Sequence, residues 1–436
     1  MIAQTFQDAF SPQWIKTHLT NPTHDLILLR HILPWQPIME RLVPFYNSQK
    51  GRTGHSLRLL VATSILCRLR QLSDRKVIEN IQENRYMQYF CNVPDQRLMT
   101  FLNPSTLCRF RKRIGTEGTL IIEERVFEHL KRAAVIDADM MLMDTTVLES
   151  PIIYPTDIRL IYKAFDKMAA LATEAQLDRC WDHAQLKQRW RAYHLNPKDR
   201  LAYLSEFYAV FVPACERFAA HLAHLPQGAL RQRWSHLLAV LTLLEKQTQQ
   251  KLAGHRHIDN RLVSLDDLDA RPIKKGKSHP STEFGTTLQM TFNRQGFMIT
   301  TDNFIGQPND TTLYGPTLER FRKRMQAYPG TAVTDLGFRS ANNLKLNAQQ
   351  IDHVFMGRSS DVEEPQQEAC RQARSAPEGF IAVAKHLRGF ARSLYRGLQG
   401  AILWTRLSQC AYNLQKFLQL YRAEALEEST LIKLRL

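Results

Sequence analysis

The chain has 436 residues, enough for two or three domains, and its 44% hydrophobic and 23% charged content is ordinary for a soluble globular protein. Its charge is not ordinary, because 58 Lys and Arg against 42 Asp and Glu give a net charge of +16. A basic excess of this size favours a polyanionic partner, above all nucleic acid. The alternative is a soluble enzyme that is merely basic.

Cysteine usage and apolar runs argue against several classes of protein. The seven cysteines are scattered and never form a Cys-x-x-Cys pair, which argues against a structural zinc site and for reduced thiols in the cytoplasm. The first residues lack the basic segment and apolar core of a signal peptide. No apolar run reaches the length of a membrane span, so we expect no membrane partner.

The N-terminal part of the chain has helical periodicity. Apolar residues recur at helical spacing over residues 57–72, and Ser73 is then placed to cap a second helix whose buried stripe is Val77, Ile78 and Ile81. We predict a helical, DNA-binding domain over residues 1–135.

A short basic helix is predicted next, with Ser105 as its N-cap and Gly115 as its C-cap. Its four basic residues are Arg109, Arg111, Lys112 and Arg113. The segment looks like the second half of a helix-turn-helix that faces DNA. The alternative is a surface helix whose cations favour its C-terminal end.

Strand patterns begin after this domain. Four apolar residues lead into Asp144, which predicts a short buried strand that ends in an acid. Residues 160–262 then change to helical patterns with Pro213 and Pro226 spaced like helix breaks. Their tryptophans are typical of a core, with a stacking platform for bases as the alternative. Residues 269–280 form a basic Gly/Pro connector that we expect to be irregular and exposed.

Later segments predict an alternation of strands and helices. A hairpin turns at residues 293–295, a helix covers 312–328, a buried strand ends in Asp335, and a last strand covers 351–356. This order favours the α/β class, α+β by content, with a mixed sheet flanked by helices. We predict a catalytic domain over residues 136–159 and 280–400, a helical insertion and connector over 160–279, and a C-terminal helix over 401–436.

Three acids could form one site in such a domain. If the strands that end in Asp144 and Asp335 are parallel neighbours, their carboxylates lie side by side, and Glu378 can close the site from the start of the next helix. Three carboxylates suit a pair of Mg²⁺ ions, with Mn²⁺ as a substitute, for in-line phosphoryl displacement. The alternatives are structural: Ser375-x-x-Glu378 is also a capping box, and Asp335 before Leu-Gly could only begin a turn.

The acids and their surroundings resemble the DDE transposases of bacterial insertion sequences. Residues 374–385, Arg-Ser-Ala-Pro-Glu-Gly-Phe-Ile-Ala-Val-Ala-Lys, resemble the family signature Tyr-x2-Arg-x3-Glu-x6-Lys, with Arg374, Glu378 and Lys385 in register. Arg371 stands at the position of the tyrosine. Residues 144–157 and 334–340 are similar to the surroundings of the family's two aspartates, and residues 73–75 and 104–111 to its N-terminal helical region.

This resemblance implies a ribonuclease-H-like catalytic domain with Asp144, Asp335 and Glu378 as catalytic and metal-binding residues. It implies cleavage at the ends of an insertion sequence and joining of the 3′-OH to target DNA, with Arg374 and Lys385 at the DNA. The expected partner is double-stranded DNA, both terminal inverted repeats and target, bound by a homodimer in the nucleoid of the cytoplasm. The alternatives are a structure-selective nuclease of the same fold and a catalytically inactive DNA-binding derivative.

Overall fold

The computed structural model describes residues 8–46, 54–94, 102–178, 181–195, 199–274, 282–346 and 348–434. The chain divides into two compact units, one made of Met1–Glu149 with Thr287–Leu436 and the other of Ser150–Thr286. Within the described ranges, every helix is too short or too polar to cross a membrane.

The first unit begins with a helical region. Its helices are α1 Pro12–His18, α2 Asp25–Ile32, α3 Trp35–Leu42, α4 Leu57–Leu69, α5 Asp74–Glu83, α6 Arg85–Cys91 and α7 Pro104–Arg132. The predicted cap is confirmed, since the Ser73 hydroxyl accepts a hydrogen bond from the Lys76 amide at 3.3 Å. The predicted stripe of Val77, Ile78 and Ile81 is buried.

A six-stranded mixed sheet follows. Its strands are β1 Met140–Glu149, β2 Arg271–Ile273, β3 Glu283–Phe292, β4 Met298–Ile305, β5 Thr331–Thr334 and β6 His353–Met356. They are arranged in the order β2-β3-β1-β5-β6, with β4 beside β3. The pairs β1–β5 and β5–β6 are parallel, whereas β3 is antiparallel to β2 and β4. The expectation of a mixed sheet in an α/β protein is therefore confirmed.

The hairpin and the connector show one success and one error of the sequence prediction. The β3–β4 turn lies at the predicted place, with the Asn293 amide donating to the Phe297 carbonyl at 3.0 Å. The connector was expected to be irregular, but Arg271–Ile273 pairs with β3 as the strand β2. Lys277 and the rest of residues 275–281 lie outside the described residues.

Helices cover and complete the first unit. They are α12 Asp310–Met325, α13 Ala341–Lys345, α14 Glu364–Leu387, α15 Gly397–Arg422 and α16 Glu428–Leu434. The prediction of a helix over 312–328 was wrong at both ends, because Asn309 caps α12 earlier and Gln326 takes a left-handed conformation (φ +61°) after it. Helix α15 packs against α4, α7 and β4, so it joins the helical region to the sheet.

The second unit is largely helical. Its helices are α8 Asp157–Glu174, α9 His183–Leu195, α10 Arg200–His221 and α11 Ala229–Leu252. In the described part of residues 160–262 no strand occurs, as the insertion hypothesis required. Trp234 is fully buried and stacks on Phe218 with 3.9 Å between ring centroids, so it serves the core rather than bases. Pro213 was predicted to break a helix, but it lies inside α10; only Pro226 falls between helices.

Candidate active site

The parallel pairing of β1 and β5 brings two acids together. Met140 pairs with Thr331 and Leu142 with Val333. In the same register Asp144, two residues after Leu142, comes level with Asp335, two residues after Val333. Both side chains are half-buried. Extending the observed register by two residues therefore puts Asp144 and Asp335 at corresponding positions of the two parallel strands.

The prediction that the first strand ends at Asp144 was wrong. Strand β1 continues to Glu149, because Thr145, Thr146, Val147 and Leu148 are buried and mostly β-branched, which suits extended backbone. Beyond β5 it bonds to another partner: the Glu149 amide donates to the Ala391 carbonyl at 3.0 Å, and the Glu149 carbonyl accepts from Ser393 at 2.8 Å. Asp144 thus lies where β1 loses β5 as its neighbour.

Each aspartate is held by a local hydrogen bond. One oxygen of Asp144 accepts from the Thr145 amide at 2.6 Å, and Oδ1 of Asp335 accepts from the Gly337 amide at 3.0 Å. The structural alternative for Asp335 is therefore also correct, since it caps the short turn Leu336–Phe338. A carboxylate oxygen that accepts one hydrogen bond keeps a second lone pair, so turn capping by Asp335 and metal binding are compatible roles.

A third carboxylate, Asp310, was missed by sequence reasoning. It is the first residue of α12, and its Oδ1 accepts from the Thr145 hydroxyl at 3.2 Å. A Cβ atom added to Gly337 would lie 3.2 Å from Oδ2 of Asp310 and 3.2 Å from Oδ1 of Asp335, so the two carboxylates flank the same glycine. The signal was present in Asn309-Asp310, a typical helix start, but the helix was predicted to begin at residue 312.

Glu378 occupies a different position from the predicted one. We expected it at a helix start, but it lies in the middle of α14, whose N-cap is Glu363. The capping-box alternative is wrong, because the Ser375 hydroxyl donates to the Gln372 carbonyl at 2.8 Å inside the helix. Helix α14 continues through Pro377, because the buried face of the helix, which includes Pro377, packs against β1 and β5. The Glu378 side chain is exposed.

Arg374 and Lys385 share a side of α14 with Glu378. Positions four and seven residues apart lie on one face of a helix, so the three side chains are neighbours along α14. Arg374 is exposed and Lys385 is half-buried. At the position of the signature's tyrosine, Arg371 is exposed and lies 3.6 Å from Glu368. The helix that packs on the two aspartate-bearing strands therefore carries one acid between two cations.

The donor set suits a hard divalent cation in its chemistry. Carboxylate oxygens are the protein ligands that Mg²⁺ prefers, and the site offers Asp144, Asp310 and Asp335 with Glu378 on the adjoining helix. Across the described ranges, however, no three acidic, His or Cys side chains are gathered closely enough to hold a metal ion as they stand. The register of the strands brings two aspartates level, and the described residues do not gather a third ligand with them.

The four residues of the predicted basic helix have different environments. Asn103, not Ser105, is the N-cap of α7, with Oδ1 accepting from the Thr106 amide at 3.1 Å. Gly115 ends the first segment as predicted, because its φ of +57° breaks the helical backbone. Arg109, Lys112 and Arg113 are exposed.

Arg111 is the exception. It is 6% exposed, donates to Asp74 at 3.1 Å and lies 4.6 Å from the centroid of the Tyr395 ring. Its charge is therefore used inside the protein, between α7, α5 and the segment before α15.

Other arginines are buried in the same way. Arg30, Arg58 and Arg68 are each at most 8% exposed and stack on Tyr89, Trp35 and Trp404. Burial lowers the pKa of the Arg58 guanidinium well below its usual range. The basic charge available at the surface is correspondingly smaller than the sequence suggests.

Comparison with known proteins shows a match to a protein family in the N-terminal part of the chain. Residues 15–113 match the family described as Transposase domain (DUF772), which spans α1 to α6 and the basic first segment of α7. A protein of Rhizobium meliloti, described as uncharacterized protein ORF8 in the nfe locus, is 30% identical over 182 residues, which are 39% of this chain and 84% of that protein.

Residues 15–113 therefore belong to a transposase domain family, and the chain is related to the Rhizobium meliloti protein. No solved structure matches the chain. The matched domain lies in the helical region, whereas Asp144 lies on β1 and Asp335 directly after β5.

Proposed function

We propose that this chain is a DDE-type DNA transposase, which cuts DNA at the ends of an insertion sequence and joins the freed 3′-OH to target DNA. The observation that carries the proposal is the level placement of Asp144 and Asp335 on parallel strands. The family comparison supports DNA transposition in general, and the paired acids support this particular chemistry.

The sheet supports a ribonuclease-H-like catalytic domain. An antiparallel hairpin lies on one side of β1 and two parallel strands lie on the other, with a long helix packed on the sheet. This arrangement is consistent with that fold. The helical second unit would then be an insertion after the first strand.

Each site residue has a proposed role. Asp144 and Asp335 would hold Mg²⁺, and Glu378 would complete the ligand set from α14. When bound, a pair of magnesium ions activates the attacking oxygen and stabilises charge on the leaving 3′ oxygen. Arg374 and Lys385 would position the strand by contacts to its phosphates, because cations on the face of Glu378 offset the repulsion between DNA and the acids.

DNA duplexes would be bound mainly through phosphates. Arg109, Lys112 and Arg113 are exposed on one short helix of the matched transposase domain, which favours contacts with terminal repeats or target DNA. Such binding falls steeply with salt, since each neutralised phosphate releases a condensed counterion. Binding as a homodimer on paired ends belongs to the same proposal.

Strand joining tests this function. A pre-cleaved duplex that ends in the repeat flanking the gene is incubated with a plasmid target, with magnesium or with EDTA. We expect joined product only with magnesium, and we expect Asp144→Asn to reduce it by a factor on the order of 100 or more, because the charge that holds the metal is lost. Asp139→Asn, the same change at an exposed position just before β1, is the matched control and should keep normal activity.

Two results would contradict the proposal. Normal strand joining by the Asp144→Asn protein would show that Asp144 is not needed for the reaction. Nicking of DNA without any joined product would instead favour the nuclease of the same fold.

A further inference from the structure

A cavity of about 440 Å³ lies between α14 and α15, on a side of α14 away from Glu378. Residues that line it include Gly379, Phe380, Val383, Arg388, Tyr412 and Lys416. All of them belong to the first unit. Cavities that bind small ligands or single groups are usually of this size, with apolar walls and few polar groups.

Two cations in this α14–α15 cavity have no acidic partner. Arg388 and Lys416 are half-buried, and over the described ranges neither forms an ion pair. Among the described residues that line the cavity, none is acidic. Burial lowers the pKa of both side chains, as expected for cations removed from water without a counter-charge. An external anion would remove this cost.

Tyr412 adds a polar group to the same wall. Its side chain is only 5% exposed and lines the cavity together with Arg388 and Lys416. Arg388 lies close enough to lower the pKa of Tyr412, although burial outweighs this effect and leaves that pKa raised. A ligand oxygen in the cavity could pair with both groups.

The apolar wall suits a flat ring. Phe380 is half-exposed, lies beside the exposed Val383, and packs on Phe292 with 5.4 Å between ring centroids. Gly296 leaves room for this ring, since a Cβ atom at residue 296 would lie only 2.7 Å from it. Lys416 lies 5.9 Å from the ring centroid, which places a cation next to the stacking surface.

Gly379 keeps the cavity open. Glycine inside a helix lowers the stability of the helix by about 1 kcal/mol relative to alanine, so we expect a glycine at this position to have a specific role. Internal packing is not the reason, because a Cβ added to Gly379 meets nothing within 4 Å. Glycine is also the residue that permits close approach of a ligand to the backbone.

We propose that the α14–α15 cavity binds one nucleotide unit of a DNA strand, with its phosphate at Arg388 and Lys416 and its base against Phe380. Unpaired bases stack on aromatic side chains irrespective of sequence, and cations beside the ring take the backbone. The proposal rests on the proposed function only for the choice of DNA as the source, since the helix that lines the cavity also carries Glu378 on another side.

Binding of a fluorescein-labelled hexanucleotide, measured by anisotropy in EDTA, tests the proposal without catalysis. Gly379→Leu adds a side chain where a Cβ atom has free space, and it should weaken binding at least about ten-fold while the thermal midpoint is unchanged or higher, because leucine favours helix. Lys416→Gln should lower the slope of log K against log salt by about 0.7, the value for one phosphate contact on a single strand. Lys16→Gln, an exposed lysine on α1, is the control for loss of one charge.

Wild-type affinity in both Gly379→Leu and Lys416→Gln would overturn the proposal. Equal affinity for deoxyadenosine monophosphate and the hexanucleotide would overturn the assignment to a strand, since it would indicate a site for free nucleotides. These outcomes are independent of strand joining. A chain that binds through the cavity but never joins DNA would contradict only the proposed function.

Discussion

Asp310 shows how a single side chain can belong to a site that its place in the sequence does not reveal. Its Oδ1 accepts from the hydroxyl of Thr145, whose amide donates to Asp144, and its Oδ2 flanks Gly337 together with Asp335. A negative charge at the start of α12 is also stabilised by the helix dipole. The residue therefore has a structural role, and its carboxylate adds to the negative potential that would attract Mg²⁺.

Asp310→Asn separates these two roles. Asparagine can still accept from Thr145 and retains the shape of aspartate, so we expect a loss of no more than about 1 kcal/mol in the free energy of unfolding from the helix dipole. Magnesium-dependent strand joining should fall about ten-fold or more, because one carboxylate of the metal environment is gone. Asp352→Asn, at a residue just before β6, is the control. Unchanged strand joining by the Asp310→Asn protein would show that Asp310 has only a structural role at the start of α12.

The first segment of α7 presents less positive charge at the surface than its sequence suggests. Four basic residues cluster there, but Arg111 is turned inward to Asp74. Helical periodicity explains the difference, because Arg111 follows the buried Leu107 by four residues and therefore lies on the core side of the helix. Arg109 and Lys112 lie on other faces and stay exposed.

Substitutions along this helix should divide accordingly. Arg111→Met leaves Asp74 without its partner in a mostly buried place, so we expect a loss of about 3–5 kcal/mol in the free energy of unfolding. Arg109→Gln and Lys112→Gln should leave the free energy of unfolding almost unchanged. Together they should lower the slope of log K against log salt for duplex DNA by about 1.8, if each contacts one phosphate.

Denaturant unfolding and salt titrations measure both effects. A stable Arg111→Met protein would contradict the buried ion pair. An unchanged salt slope in the Arg109→Gln, Lys112→Gln double variant would show that this helix does not lie at the DNA.

Caps and short periodic segments were predicted well, because their causes are local. Ser73 caps a helix through an amide three residues away, and Gly115 breaks one through its own backbone conformation. Both effects depend only on residues that are close in the sequence. Element ends that depend on tertiary contacts were predicted poorly. Strand β1 runs past Asp144 because a distant segment, at Ala391 and Ser393, supplies its hydrogen bonds.

The same reason explains the errors about α14. Ser375, Pro377 and Glu378 look like a helix start in isolation, since proline favours the first turn. In the folded chain the helix begins earlier, at Glu364, because Cys370, Pro377 and Ile381 extend one buried stripe along the sheet. Packing of the stripe outweighs the lost hydrogen bond at Pro377.

The whole molecule joins a matched transposase domain to a mixed sheet that bears adjacent aspartates, and the two are packed together by α15. The order of the acids and the expectation of parallel strands came from the sequence. The gathering of Asp310 and the inward turn of Arg111 did not, because both depend on which segments meet in space.

Glu378→Gln tests the central claim most directly. The side chain is exposed and caps nothing, so the thermal midpoint should stay within a degree or two, about the effect of a surface change. Magnesium-dependent cleavage of a repeat end by the same preparation should fall by a factor on the order of 100 or more, because the charge needed for metal binding is lost. Glu368→Gln, ten residues earlier on the exposed side of α14, should leave both unchanged. A Glu378→Gln protein that cleaves at the normal rate would contradict the three-carboxylate site.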